Sequence, residues 1–293
     1  MSQVKVEMSS NSLILNRFFT HSVFQDLIKY EKSRVYSSIV AKYLANCASK
    51  SNAEIITEIY RLLSDGYRNE YFYKNTLLTK LLLRRHSVKT TVALTQIPIG
   101  KSKADFVLIN GKAVVYEIKS ELDTYNRLES QLGDYFRAFN HVCVVAPEDE
   151  FDTLNDMLSS TPVGIYCLTR RNTFSKSKCK EPTQHNSELE YRSIFRVLHK
   201  HEYEQIIEGH FKELPKVSQV KYYDACLDMF SSIPVLDAYQ MSLAVMKKRN
   251  KSIAAQLKAF PQSLNSLLYF LNPSRKEIEC LSAFLTKPFR GDG

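Results

Sequence analysis

The sequence predicts an α/β protein in which a three-layer domain is flanked by helical regions. Residues 12 to about 86 carry apolar side chains three and four positions apart, the spacing of amphipathic helices. Beyond Ser87, segments alternate in the order three strands, helix, strand, helix, strand. Together with the helix before them, these segments describe a layered α/β domain over residues 52–170.

The remaining chain completes four predicted regions. Residues 171–187 are polar and basic and lack an apolar period, which is typical of a linker. The pattern after them is helical and interrupted by prolines. We therefore predict an N-terminal helical extension over 1–51, the α/β domain over 52–170, a linker over 171–187 and a helical C-terminal module over 188–293.

The helices before the strands are indicated by two apolar segments, SIVAKYLANCA and AEIITEIYRLLSDGY. Asp65-Gly66 reads as a break, after which YRNEYFYKNTLLTKLLLRRH continues with a second apolar stripe.

The strands follow from alternation and turn residues. TTVALTQIPIG is rich in Thr, Val and Ile, and ADFVLI and AVVYEIK are separated by Asn110-Gly111. An Asn-Gly pair between alternating runs predicts a hairpin with a two-residue turn. SELDTYNRLESQLGDYFRAF then reads as an amphipathic helix that Ser120 caps, with Glu121 and Asp123 in its first turn. HVCVVAP, EDEFDTLNDMLSS and VGIYCLT predict a strand, a helix and a strand.

The composition narrows the class of protein without fixing its activity. The chain has 293 residues, with 40 Lys and Arg against 31 Asp and Glu, a net charge of +9 spread along its length. That surplus favours a polyanionic partner such as nucleic acid, although many proteins carry as much for solubility. The six cysteines form no CxxC pair and no cluster with zinc spacing. Because no apolar run approaches ~18 residues and no signal peptide is evident, we expect a reducing, cytoplasmic compartment and no membrane partner.

The residues that carry chemistry lie around the hairpin. In a strand of period two, Glu117 and Lys119 share a face and leave Val114, Tyr116 and Ile118 on the other. Hairpin pairing brings Asp105 close to Glu117. Two carboxylates suit a hard divalent cation that also takes phosphate oxygens, and a lysine beside them can act on the attacking water or on the transition-state charge.

This arrangement resembles the PD-(D/E)XK nuclease superfamily, which has the restriction-endonuclease-like fold. The resemblance rests on Asp105, eleven intervening residues, then Glu117, Ile118 and Lys119, with Ala104 where the family name carries Pro. The run YEIKSELD followed by QLxxY resembles bacterial and phage members of the superfamily. The fold it implies is a three-layer core with a mixed sheet.

The resemblance also implies a role for each site residue. Asp105 and Glu117 would bind Mg²⁺ or Mn²⁺, with the Ile118 carbonyl completing the shell, and Lys119 would act on the water. Glu70, on the helix before the strands, would orient a metal-bound water or a second ion. Gln131 and Tyr135, four apart on the helix after the lysine, would support the site or touch substrate.

Each of these residues also has an ordinary structural interpretation. Glu70 could pair with Lys74 on a helix surface, and Tyr135 could belong to the core with Leu128 and Leu132. Glu117 and Lys119 could be an exposed charge pair on a strand.

Basic runs and histidines were weighed in the same way. The runs Arg84-Arg85, Arg170-Arg171 and Lys247-Lys248-Arg249 could contact a phosphate backbone or simply be solvated, and we take Arg84 and Arg85 as candidate substrate contacts. His199 and His201 stand two apart, which on a helix points them in different directions and argues against zinc.

The function expected on these grounds is magnesium-dependent hydrolysis of phosphodiester bonds, in DNA and in a phage, mobile-element or defence setting. The alternative is a protein that keeps the fold but binds nucleic acid without cutting it, or acts through protein contacts as an inhibitor or assembly factor. The helical C-terminal module would serve a second copy of the chain or a protein partner.

Overall fold

The computed structural model describes residues 14–66, 68–83, 90–121, 123–249 and 252–290. The chain forms two compact units. The first comprises residues 1–84 and 251–293, and the second comprises residues 85–250. These boundaries differ from the four predicted regions, because the end of the chain joins the N-terminal helices and most of the helical C-terminal module joins the sheet.

The helices and strands of the described residues follow in chain order. After a helical stretch at residues 14–18, the first elements are α1 (His21–Tyr30), α2 (Arg34–Tyr43), α3 (Asn52–Asp65), α4 (Glu70–Leu77) and the π-helix Leu78–Leu83. The sheet segment contains β1 (Val92–Ile99), β2 (Ser102–Asn110), β3 (Lys112–Ile118), α5 (Leu128–Phe136), β4 (Val142–Pro147), a 3₁₀ turn (Glu148–Glu150), α6 (Phe151–Leu158), β5 (Gly164–Leu168) and β6 (Phe174–Lys180). The remaining helices are α7 (Tyr191–Arg196), α8 (Lys200–Phe211), α9 (Gln219–Ser231), α10 (Val235–Met246), α11 (Asn265–Leu271) and α12 (Arg275–Thr286), with short 3₁₀ turns at Ser252–Ala255, Leu257–Ala259 and Gln262–Leu264.

The sheet is mixed and open, in the order β1-β2-β3-β4-β5-β6. β1, β2 and β3 are antiparallel, β3, β4 and β5 are parallel, and β6 is antiparallel to β5. The predicted order from the first strand to β5 is confirmed, and so is the α/β class. The restriction-endonuclease-like identity and the three-layer arrangement remain predictions.

Two predicted boundaries differ from the structure. Residues 171–187, expected to be a linker, contain strand β6, whose FSKSKCK sequence has no apolar alternation to reveal it. The helix expected from Ser120 begins instead at Leu128. Ser120 does not cap it: its N–H and Oγ both donate to Asp123 Oδ2 at 2.7 Å, closing a turn that resembles a cap in sequence.

The hairpin between β2 and β3 has a shorter turn than the predicted two-residue turn, and its strands therefore pair in a different register. Ile109 pairs with Ala113 and Asn110 with Lys112, so Gly111 alone forms the tip. Gly111 adopts φ 73°, the left-handed conformation that glycine reaches without steric cost. A two-residue turn would shift the pairing by one position, and a one-residue slip moves side chains to the other face.

One buried cluster of the second unit lies on one face of the sheet. Val115, Val144 and Ile165 of three neighbouring strands join Leu132 and Phe136 of α5 in one buried cluster. Side chains of helices α6 to α10 belong to the same cluster. The helices after β6 therefore complete the core of the sheet unit.

Within the first unit, the end of the chain returns to the start of α3. Ser51 forms an isolated bridge with Pro288, and the Phe289 N–H donates to the Lys50 carbonyl at 2.9 Å. Across both units, none of the helices formed by the described residues has the length and apolar character needed to cross a membrane.

Candidate active site

Asp105 and Glu117 lie side by side on the paired strands β2 and β3. Phe106 pairs with Tyr116, so continuing the register sets Asp105 opposite Glu117. Asp105 is fixed by two further bonds: its Oδ2 accepts from the Ile118 N–H at 3.0 Å, and its carbonyl accepts from Thr95 Oγ1 at 2.6 Å. The one-residue tip at Gly111 thus places both carboxylates at the same level of the hairpin.

Glu117 and Lys119 share a face, as the period of two predicts. Lys119 Nζ lies 3.0 Å from Glu117 Oε1. Both residues are buried rather than exposed as a surface pair, with 2% of Glu117 and 7% of Lys119 accessible. The Lys119 N–H donates to the Val145 carbonyl at 2.9 Å, which fixes the lysine beside the parallel strand β4.

Helix α5 supplies one partner to each member of this pair. Lys119 Nζ donates to Gln131 Oε1 at 2.9 Å, and the Tyr135 hydroxyl donates to Glu117 Oε2 at 2.6 Å. The two helix residues reach adjacent strand residues because positions four apart share a helix face. The predicted proximity of Gln131 and Tyr135 to the strand residues is therefore present in the structure.

Tyr135 belongs to the buried core, and its hydroxyl is also a hydrogen-bond partner of Glu117. Its side chain is fully buried, and its hydroxyl also lies 3.1 Å from the Lys103 carbonyl. Burial raises its pKa far above the ordinary value, and the neighbouring charges of Glu117 and Asp105 raise the pKa further. Tyr135 therefore remains a neutral hydrogen-bond donor to Glu117. Asp105 lies near enough for its charge to act on the same hydroxyl.

The cluster has the donor set that a hard divalent cation requires. Two carboxylates and one lysine lie together in a largely buried position. Each carboxylate oxygen has more than one lone-pair direction, so the bonds to Tyr135 and Lys119 leave Glu117 able to ligate a metal. Asp105 and Glu117 thus fit Mg²⁺ or Mn²⁺, which prefer oxygen ligands.

The functional roles of the remaining predicted site residues stay predictions. Glu70 belongs to the first unit, where it begins α4 and pairs with Lys74 one turn later. Its side chain is 54% exposed, and its role at a metal stays a prediction. The metal-binding role of the Ile118 carbonyl also stays a prediction. Arg84 and Arg85 lie outside the described residues.

A second group of possible metal ligands lies in the helical part of the same unit. Ligand atoms of His199, His201 and Glu202 all lie within 4.8 Å of one another. The expectation that the two histidines diverge is wrong, because His199 precedes α8 as its N-cap and does not follow the helical period. Glu202 is already paired with Arg249, however, and that positive charge opposes a cation there. Arg249, considered above as a phosphate contact, is thus a partner of a buried carboxylate.

Two contacts to the site come from residues that sequence reasoning did not select. Thr95 of β1 donates to the Asp105 carbonyl, and the Lys103 carbonyl of β2 lies beside the Tyr135 hydroxyl. Gln96, which follows Thr95, has φ 56°, a conformation that is uncommon for a residue with a side chain. No motif signals these contacts: the bond from Thr95 depends on the pairing of β1 with β2, and the bond to Lys103 depends on the packing of α5 against β2.

The same residues were compared with known protein families. A family model described as bacteriophage P4 protein cII matches residues 63–267, more than half of the chain. The chain belongs to this phage family. The match includes the whole sheet and the five residues Asp105, Glu117, Lys119, Gln131 and Tyr135. No curated protein and no solved structure matches the chain significantly.

Proposed function

We propose that the chain is a metal-dependent nuclease of the PD-(D/E)XK type that hydrolyses phosphodiester bonds in DNA. The observation that carries the proposal is the hairpin register, which sets Asp105 opposite Glu117 with Lys119 on the same face as Glu117. The family name supports a phage setting, since the described family is that of a phage protein.

The proposed roles follow from the contacts of each side chain. Asp105 and Glu117 would hold Mg²⁺ or Mn²⁺, which lowers the pKa of bound water and neutralises charge on the phosphate. Asp105 is oriented by the Ile118 N–H, and Glu117 by the Tyr135 hydroxyl. Both carboxylates are therefore held in place before any substrate arrives, which reduces the reorganisation that catalysis requires.

Lys119 is oriented in the same way. Its ammonium group donates to Glu117 and to Gln131, and these two bonds fix the end of the Lys119 side chain. A fixed cation beside two carboxylates can position the attacking water or stabilise charge that develops on the phosphate. Gln131 acts through Lys119 and is a positioning residue.

A cleavage assay with Mg²⁺ or Mn²⁺ on single-stranded, duplex and branched DNA and on RNA tests the proposal. We expect Glu117→Gln and Lys119→Met each to lower the cleavage rate by about 10²–10⁴-fold, the usual contribution of a positioned acid–base group. Glu129→Gln on α5 and Lys176→Met on β6 remove the same charges from exposed positions and should cut at the wild-type rate.

The assay also separates the alternatives. Binding without cutting, in wild type and variants alike, would favour a nucleic-acid-binding protein that retains the fold. Absence of both binding and cutting would favour a protein that acts through protein contacts. Wild-type cutting by Glu117→Gln would remove that residue from the mechanism.

A further inference from the structure

The first unit contains a cavity of about 630 Å³ that the nuclease proposal does not use. Its lining comes from the junction of α1 and α2, the start of α3 and the segment that ends α12. A volume of this size is typical of small-molecule and cofactor sites. Every lining residue belongs to the first unit, whereas the carboxylate cluster belongs to the second.

Hydrogen bonds hold the wall of this cavity in place. The Tyr36 hydroxyl donates to Asn52 Oδ1 at 2.7 Å. Asn52 Nδ2 in turn donates to the carbonyls of Phe284 and Lys287, at 3.0 and 3.1 Å. Because the Asn52 side chain is satisfied and buried, these bonds fix the segment after α12 against α3. The cavity is therefore preformed.

Aromatic rings line the cavity at two depths. Tyr36 and Phe284 are each only 2% exposed, whereas Tyr30 is 56% exposed and Phe289 is partly exposed. The rings of Tyr36 and Phe289 meet edge to face, with centroids 5.5 Å apart. Tyr30 and Phe289 thus offer accessible ring surface to a planar ligand, such as a nucleic-acid base.

The rim of the cavity is positively charged. Lys32, Lys287 and Arg290 line it and are exposed. The acidic residue in the lining, Glu31, pairs with Lys287 at 2.5 Å. That pairing leaves the charges of Lys32 and Arg290 in excess, and a concave surface of one sign concentrates oppositely charged ligands.

We propose that this cavity binds a nucleotide unit, with its base against the exposed rings and its phosphate at Lys32 and Arg290. Aromatic rings combined with a cationic groove are the features that bind single-stranded nucleic acid without sequence preference. The nucleotide would come from a nucleic-acid strand or from free nucleotide, and these sources share the same chemistry. The site does not depend on the nuclease proposal.

Fluorescence polarisation of the full chain tests the proposal. The probes are labelled oligo-dT and a fluorescent adenine nucleotide, with metal chelated so that no cleavage occurs. We expect Lys32→Gln, Arg290→Gln and Tyr30→Ala each to weaken binding about tenfold, the effect of losing one charged hydrogen bond or one stacked base. Arg61→Gln and Lys276→Gln remove exposed charges of the same unit from outside the cavity, and they should bind like wild type.

Each result has a definite reading. Loss of binding confined to the cavity variants supports the site, and the probe that binds identifies the source of the nucleotide. Equal binding by cavity and control variants overturns the proposal. Full competition by inorganic polyphosphate, together with an unchanged Tyr30→Ala, would reduce the cavity to a plain anion site and overturn recognition of the base.

Discussion

The second unit contains two buried ion pairs that differ in how completely their charges are balanced. Glu202 and Arg249 lie 47 residues apart. Arg249 Nε donates to Glu202 Oε1 at 2.6 Å, and a second guanidinium nitrogen donates to Glu202 Oε2. Glu202 Oε2 also accepts a hydrogen bond from the His199 N–H at 2.7 Å. The same guanidinium donates to the Val197 carbonyl at 2.8 Å. Glu117 and Lys119 are two residues apart on one strand, and a second carboxylate, Asp105, stands opposite them.

The contrast separates a structural pair from a site that has room for a ligand. Glu202 is matched by a two-pronged arginine, the geometry that best neutralises a carboxylate. Burial alone would raise the pKa of Glu202, but the bonds from Arg249 and His199 lower it below its ordinary value. The cluster around Glu117 brings one lysine and two carboxylates together, and two carboxylates are the oxygen ligands that a divalent cation prefers.

The activity loss expected for Glu117→Gln and Lys119→Met is the largest effect that this contrast implies.

The second largest expected effect is a change in the stability of the fold. Arg249→Met should lower the free energy of unfolding by about 3–5 kcal/mol, because it leaves Glu202 buried and unpaired. Urea unfolding measures this change. The double variant Glu202→Gln, Arg249→Met should recover part of the loss, and a single variant as stable as wild type would contradict the assignment.

The pH dependence of stability is a second measurement of the pairing between Glu202 and Arg249. A carboxyl whose pKa is lowered by folding stabilises the folded state above its ordinary pKa of about 4.3 and loses that contribution as pH falls. Stability of the wild type should therefore fall more steeply between neutral and acid pH than that of Arg249→Met.

A smaller effect distinguishes the two pairs by their response to metal. Lys119→Met should destabilise the chain when metal is chelated, since the buried Glu117 then loses the ammonium group that lies 3.0 Å from its Oε1. Excess Mg²⁺ or Mn²⁺ should restore about 2–3 kcal/mol, the stabilisation expected at roughly a hundredfold excess over the dissociation constant. Thermal unfolding with and without metal measures the difference. Glu117→Gln removes a ligand and should gain little from metal, and equal metal stabilisation of Glu117→Gln and wild type would count against a metal site at Glu117.

The smallest effect concerns the turn that positions Asp105. Gly111→Val forces a branched side chain into φ 73° and should cost about 1–2 kcal/mol, although nothing within 4 Å would clash with its Cβ. Gly111→Asn should cost less, because Asn tolerates this conformation. Unfolding experiments on the two variants compare the costs. A shift in hairpin register would show itself separately as lost cleavage at unchanged stability.

The strands and the candidate residues could be predicted because their signals are local. Alternation reveals β1 to β3, and short apolar runs reveal β4 and β5. Asp105 and Glu117 lie opposite each other across the hairpin, and Lys119 contacts Glu117, as their spacing predicts. The turn at Gly111 was predicted in place but not in length, because Asn-Gly is compatible with more than one register.

What the sequence does not reveal depends on distant partners. Nothing local relates Arg249 to Glu202, since burial of both follows from the packing of α8 and the chain after α10. Ser120 and Asp123 carry the side chains of a helix cap, yet the chain uses them to close a turn before α5. The strand β6 has polar residues where alternation would require apolar ones.

That strand also changes the meaning of part of the positive charge. β6 is an outer strand of the open sheet, and three of its residues are Lys176, Lys178 and Lys180. Lysines on an outer strand discourage another chain from adding to the sheet, as do prolines and kinks, and β1 at the opposite side carries Pro98 and the left-handed Gln96. Some of the basic surplus is therefore placed where it opposes self-association, although Lys180 also donates to the carbonyls of Leu158 and Thr161.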